Sequence, residues 1–100
     1  MKRERAADID SLHLAVGEEL ELESLRQNVV PPYVMLEPFV ETPGGVELEG
    51  KEALPEDGVH GLVYRLRGGR PGHGELVVGF KDVLSGEVTH RKTIQVDVDA

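Results

Sequence analysis

The histidines are the side chains of this chain best suited to metal binding, because the chain contains no cysteine. They are His13, His60, His73 and His90. None forms a His-x-His or His-Glu-x-x-His pattern. A site would have to combine His60 or His73 with Asp57 or Glu75, which requires a strand register that joins two hairpin ends. We predict no metal site, with His73 in a turn and His90 exposed on a strand.

Residues for covalent or acid–base catalysis also lack a typical setting. Ser11, Ser24 and Ser85 do not lie in a strained strand-to-helix turn. Neighbouring glutamates on an exposed strand have no reason to acquire shifted pKa values. The glycines match neither dinucleotide nor P-loop spacing. We therefore predict that the chain is not an enzyme and uses no cofactor.

Charge and hydropathy exclude further classes of function. The net charge of −8 disfavours nucleic acid, whose binding depends on Lys and Arg neutralising phosphates. No apolar run of 18 residues is present, so we predict no membrane span. The basic start at 1–5 is followed by Ala-Ala-Asp-Ile-Asp rather than an apolar stretch, so we expect a cytoplasmic protein.

The second half of the chain alternates apolar and polar residues with a period of two, which is typical of antiparallel strands with one wet face. The apolar positions are Leu62, Tyr64 and Leu66, then Leu76, Val78 and Phe80, then Ile94, Val96 and Val98. Segments 68–72 and 84–87 carry the glycines and the proline of chain reversals.

The first half is less regular. Residues 1–7 show no period and are predicted to be a flexible tail. Alternation over 12–16 and 20–23 predicts two strands with a reversal near Gly17, and Glu19, Glu21 and Glu23 are expected to face water. Two short strands on a sheet edge are expected over 33–42 and 46–49, and a single helical turn is conceivable over 51–54.

These strands predict an all-β fold, an immunoglobulin-like antiparallel β-sandwich of about seven strands in one domain over residues 1–100. A small closed barrel is the alternative, because alternation identifies the wet face but not the strand order. The predicted core consists of Leu14, Leu20, Leu22, Leu48, Leu62, Tyr64, Leu66, Leu76, Val78, Phe80, Ile94 and Val96.

In such a sandwich, segments 26–32, 55–61 and 81–87 emerge at one end and form a three-loop binding edge. The order of these features resembles the chagasin family of cysteine-protease inhibitors. The resemblance covers Leu14-Ala15-Val16-Gly17-Glu18, the strand entry from Gly58 to Leu66, the Pro71-Gly72 turn and the strand that ends at Phe80. Gly58-Val59-His60-Gly61 keeps the first and last glycine of the family's Gly-x-Gly-Gly motif, whereas the other two inhibitory motifs are replaced.

The resemblance implies a non-enzymatic inhibitor that blocks the cleft of a papain-like protease with three loops. The partner is then a protein or peptide whose cleft receives segments 29–32, 58–61 and 81–84. The predicted contact residues are Asn28, Val29, Val30, Pro31, Gly58, His60, Gly61, Lys81 and Asp82. An assembly module that forms homo-oligomers through a sheet edge between Tyr33 and Leu48 is the alternative function.

Overall fold

The sandwich is built from two four-stranded sheets, which confirms the predicted all-β fold over the closed barrel. The computed structural model describes residues 2–28, 36–54 and 59–100, with the backbone alone at 27, 28, 59 and 60. Its strands are β1 (Lys2–Arg5), β2 (Ser11–Ala15), β3 (Glu19–Glu23), β4 (Gln27–Asn28), β5 (Leu36–Glu41), β6 (Val46–Ala53), β7 (Val59–His60), β8 (Leu62–Gly68), β9 (Gly72–Asp82) and β10 (Val88–Asp99). A short 3₁₀ helix, Ala6–Asp8, follows β1.

The strand order is β1-β3-β8-β6 in the first sheet and β2-β10-β9-β5 in the second, and β4 pairs with β7 in a separate ladder. Most neighbours are antiparallel, but β1 runs parallel to β3 and β2 runs parallel to β10. The N-terminal segment thus contributes one edge strand to each sheet. These parallel pairs depart from the purely antiparallel sandwich that the sequence predicts.

The core lies between the sheets and is formed by the inward-facing residues of both. Of the predicted core residues, Leu14, Leu20, Leu22, Tyr64, Leu66, Leu76, Val78, Phe80, Ile94 and Val96 are buried, and Leu62 packs against the core from a partly buried position. The prediction for Leu48 is wrong, since Leu48 is 36% exposed. It lies on the edge strand β6 next to a bulge between Leu48 and Gly50, and Val46 is buried instead.

The predicted flexible tail is wrong for residues 2–7. Strand β1 pairs with β3 in register Lys2 to Leu20 through Arg5 to Glu23, and Ala6 is fully buried. The Lys92 side chain donates a hydrogen bond to the Ala6 carbonyl oxygen at 2.7 Å. Tertiary pairing therefore orders a segment that has no apolar period of its own.

Two reversals follow the predicted positions. Gly17 has φ +87° in the β2–β3 turn, which is closed by a hydrogen bond from the Glu18 N–H to the Ala15 carbonyl at 3.0 Å. The Gly17 N–H donates to the Gly68 carbonyl at 2.8 Å and so joins this turn to the end of β8. Strands β8 and β9 are joined through 69–71 as expected. The conceivable helical turn near Lys51 is not formed, because β6 continues to Ala53.

Candidate functional site

Three connections between strands start and finish at one end of the sandwich, which we call the loop end, and their described residues are 24–28, 54 with 59–61, and 83–87. In the first sheet, Glu23 at the end of β3 pairs with Val63 at the start of β8. In the second sheet, Asp82 at the end of β9 pairs with Leu36 at the start of β5. One cavity touches both Ser24 and Phe80, so these are the same end of the molecule.

The first two connections are joined by a short antiparallel ladder. Gln27 pairs with His60, and Asn28 pairs with Val59. The backbones of two predicted contact residues, Asn28 and His60, are thereby placed next to each other. The predicted contacts Val29, Val30, Pro31 and Gly58 lie outside the described residues. The ladder ties the described parts of the two connections together through backbone pairing.

Gly61, also a predicted contact residue, is buried at the base of the second connection. A Cβ atom at this position would lie 2.5 Å from Leu54 Cδ1 and 3.3 Å from the Ser24 hydroxyl oxygen. The Gly61 carbonyl accepts a hydrogen bond from the Leu54 N–H at 3.2 Å. The packing around it explains why glycine stands here, and it gives Gly61 a role in positioning the connection.

The Ser24 hydroxyl holds the first connection against the start of β8. It accepts a hydrogen bond from the Leu62 N–H and donates one to the Leu25 carbonyl, both at 2.9 Å. Ser24 is buried and its hydroxyl is committed to these backbone groups. This serine is therefore a structural residue of the loop end.

The third connection is a tight turn organised by Asp82. The Asp82 carboxylate accepts hydrogen bonds from the backbone N–H groups of Leu84 (2.8 Å) and Ser85 (3.1 Å). The Asp82 backbone also accepts from Gly86 and donates to the Glu87 carbonyl, both at 2.8 Å. The predicted contact Asp82 thus shapes the turn, whereas Lys81 is exposed at the preceding position.

This turn presents two aliphatic side chains to solvent. Leu84 is 81% exposed and Val83 is 52% exposed. Exposed apolar residues on an ordinary surface are scattered singly, whereas these two are adjacent on one hydrogen-bonded turn. Leu84 is the last residue of the segment 81–84 that the family resemblance predicts to enter the partner's cleft.

A buried carboxylate with three arginines lies beside the first connection. Glu23 is 5% exposed, so its expected position on the surface is wrong. Its Oε1 accepts a hydrogen bond from Arg26 Nη2 at 2.9 Å, its Oε2 accepts from Arg5 Nε at 3.2 Å, and Arg3 Nη2 lies 3.7 Å away. Burial acts to raise the pKa of Glu23, but the Arg26 hydrogen bond and the charges of Arg3, Arg26 and Arg5 outweigh it and lower the pKa.

Two of the histidines, His13 and His73, pair with acids. His73 lies within β9, not in the expected turn, because that strand begins at Gly72. Its Nδ1 is 2.5 Å from Asp97 Oδ1, and its Nε2 is 3.1 Å from Gln95 Oε1. His13 Nε2 is 2.7 Å from Asp99 Oδ2. Across residues 2–28, 36–54 and 59–100, no three histidine or acidic side chains are grouped as metal ligands.

Both edges expected to pair with another chain are indeed sheet edges, formed by β5 and β6. Each carries a feature that opposes further pairing. Pro38 lies in the middle of β5, and β6 has a bulge and several charged residues.

Within the described part of the chain, no helix is long and apolar enough to cross a membrane.

Comparison with known proteins shows similarity of fold. No protein-family model matches the chain, and no curated protein matches it in sequence. The crystal structure of EhICP2, a cysteine protease inhibitor from Entamoeba histolytica, superposes with a TM-score of 0.71 at 13% identity, over 97% of this chain and 93% of that one. The solution structure of amebosin superposes with a TM-score of 0.64 at 15% identity, over 98% and 95%.

The fold expected from the resemblance to chagasin-like inhibitors is therefore confirmed. At these identities the comparison concerns the architecture and not individual contact residues.

Proposed function

We propose that this protein inhibits papain-like cysteine proteases by placing its loop end in the active-site cleft. The observation that carries the proposal is the Asp82-organised turn, which exposes Leu84 at the same end of the sandwich as the β4–β7 ladder. A similar fold in a cysteine protease inhibitor supports the choice of partner.

The geometry suits inhibition by blockage and requires no reaction. A partner that binds preordered connections has less conformational entropy to remove than one that binds flexible loops. Leu84 then acts as an apolar anchor that enters a pocket of the partner, and the surrounding polar backbone excludes water. In the family resemblance, the third inhibitory motif falls at Lys81-Asp82-Val83, and Leu84 supplies apolar surface next to that position.

The proposal assigns binding and no catalysis to the loop end. The two serines nearest to it are held in structural hydrogen bonds: the Ser24 hydroxyl bonds Leu25 and Leu62, and the Ser85 hydroxyl accepts from the Glu87 N–H at 3.2 Å. A hydroxyl that orders the backbone in this way is not positioned beside a general base.

The test is a titration of a papain-like protease with the purified protein, with intact-mass analysis to detect digestion. We expect competitive inhibition at sub-micromolar concentration. Leu84→Asp should weaken it at least about fivefold, since loss of an anchor residue costs more than about 1 kcal/mol. Val16→Asp is the matched control, because Val16 is an exposed aliphatic residue (44%) in the β2–β3 turn at the opposite end.

Two results would overturn the proposal. One is an absence of inhibition up to about 100 micromolar, which corresponds to binding weaker than about 5.5 kcal/mol. The other is an equal loss of inhibition in Leu84→Asp and Val16→Asp, which would show that the loop end has no special part in binding.

A further inference from the structure

A cavity of about 420 Å³ opens between the two sheets beside the loop end. Phe80 and Ser24 are buried in its wall, and Leu25 is partly buried there. Its other lining residues are Arg5, Ala7, Asp8, Glu23, Arg26 and His90. This volume is within the range of small-molecule sites, which are typically apolar with a few placed polar groups.

His90 reaches this cavity through an unusual backbone conformation. It has φ +54°, in the left-handed region that residues other than glycine rarely adopt. The register between β9 and β10 shifts between Thr89 and Lys92, which is a bulge that redirects the His90 side chain. The ring meets Phe80 edge-on, with centroids 6.1 Å apart and planes at 89°. Strain of this kind is often retained where a side chain serves a binding site.

The polar groups of the cavity wall are mainly hydrogen-bond donors. Both oxygens of Glu23 already accept from arginines. Arg5 donates its Nε–H to Glu23. Its guanidinium carries four further N–H donors. His90 adds a ring nitrogen, while Asp8 is an exposed acceptor on the wall. A ligand that complements this wall brings an acceptor, and a carboxylate matches the planar fork of arginine.

We propose that the cavity binds a carboxylate carried on an aromatic or branched apolar body. The apolar body packs against Phe80 and Leu25, and the carboxylate meets Arg5 and His90. The same chemistry is offered by a free small acid and by the C-terminus of a peptide that ends in an apolar residue. The site is separate from the Leu84 turn, and its test uses no protease, so it stands or fails independently of the proposed function.

The test is an NMR titration of the amide-labelled protein with two matched pairs of probes. The first pair is 3-phenylpropionate and 3-phenylpropanamide, and the second is the peptide Ala-Ala-Phe with a free or an amidated C-terminus. We expect the acids to shift the amides of Leu25, Phe80 and His90 with dissociation constants of about 1 mM, and the amides to bind about tenfold more weakly. Binding of the peptide acid alone would identify a peptide C-terminus as the ligand.

Variants separate recognition of the acid from general charge effects. Arg5→Gln should weaken the binding of phenylpropionate about fivefold, whereas Asp8→Asn should strengthen it by removing a repelling charge. His90→Gly should also weaken binding and keep the fold, because glycine tolerates a positive φ. Arg67→Gln, which removes a charge from the β8 end remote from the cavity, is the control. Equal binding of acid and amide, no shifts with any probe, or equal effects of Arg5→Gln and Arg67→Gln would overturn the proposal.

Discussion

The Asp82 carboxylate accepts a hydrogen bond from the backbone N–H of Leu84 at 2.8 Å, so an acidic residue fixes the turn that displays the most exposed apolar side chain among the large apolar residues described. The bond spans two residues, which is the usual geometry by which aspartate stabilises a turn. The acid orders the turn, and the neighbouring leucine is available to a partner.

Replacing Asp82 with alanine should release this turn and weaken protease inhibition. The expected loss is about fivefold, because ordering a side chain and its turn costs about 1 kcal/mol on binding. Inhibition constants and hydrogen exchange of the Leu84 and Ser85 amides measure the two effects. Asp82→Asn keeps the acceptor oxygen and should behave like the unmodified protein. An equal loss in both variants would assign the effect to the charge of Asp82 instead of the turn.

Replacing Glu23 with glutamine should destabilise the fold, because it leaves three arginines beside a neutral group. Removing one member of a buried ion pair costs about 3 to 5 kcal/mol, but the three arginines are partly exposed and remain hydrated. We therefore expect a loss of about 1 to 3 kcal/mol in urea unfolding. Glu21→Gln is the control, since Glu21 is more exposed and bonds only Arg3 within the described residues. This variant should lower the free energy of unfolding by less than about 1 kcal/mol.

The same cluster predicts a loss of stability in acid. The folded state lowers the pKa of Glu23, so the stabilisation is present above the ordinary glutamate value of about 4.3 and is lost as the pH falls through the lower folded value. The difference in unfolding free energy between the protein and Glu23→Gln should shrink below about pH 4. A difference that is constant from pH 7 to pH 3 would contradict this reading of the cluster.

The pKa of His73 should lie above the ordinary histidine value. Its hydrogen bond with Asp97 and the negative charge of that residue raise the pKa, and Gln95 and Glu75 act in the same direction. The linked stability is fully present below the unfolded pKa of about 6.5 and is lost as the pH rises through the folded value. NMR titration of the ring protons measures the midpoint, and Asp97→Asn should return it toward 6.5. An unshifted midpoint at low salt would show that the pair does not persist in solution.

The fold was predictable where side-chain period alone decides the structure. Strands β8, β9 and β10 carry apolar residues at every second position over most of their length, and these residues form the core as predicted. Leu48 follows the same alternation yet is exposed, because it lies on an edge beside a bulge that no local pattern reveals. Burial of a strand residue depends on which strand lies beside it, and this is a property of the whole sheet.

The parts that escaped prediction depend on long-range pairing. Arg3 and Arg5 give β1 the composition of a tail, and only their position opposite Glu21 and Glu23 of β3 explains why it is ordered. The same pairing allows Glu23 to be buried. At the loop end, Leu84 was part of the predicted segment 81–84, but its exposure depends on the turn that Asp82 organises, which no side-chain period reveals.

Replacing Tyr64 with phenylalanine should leave stability unchanged or increase it by up to about 1 kcal/mol. Tyr64 is fully buried, and its hydroxyl has no hydrogen-bond partner among the described residues. An unsatisfied buried hydroxyl carries a desolvation cost that its removal relieves. Desolvation also raises the pKa of Tyr64 to about 12. Thermal and urea unfolding measure the change, and Tyr64→Ala, which leaves a cavity, should lose about 3 to 5 kcal/mol. Destabilisation of Tyr64→Phe by more than 1 kcal/mol would mean that the hydroxyl has a partner.

Replacing Pro38 with valine should promote self-association, because it restores a hydrogen-bond donor and a strand-forming side chain to the open edge of β5. The unmodified protein should sediment as a monomer whatever its concentration, since β6 is bulged and every residue of β1 is charged. Sedimentation velocity over a range of concentrations measures both. Thr93→Val is the control, because it adds valine to β10, which is paired on both sides. Association of the unmodified protein would instead favour a sheet-edge assembly. Equal association of Pro38→Val and Thr93→Val would assign the association to surface hydrophobicity.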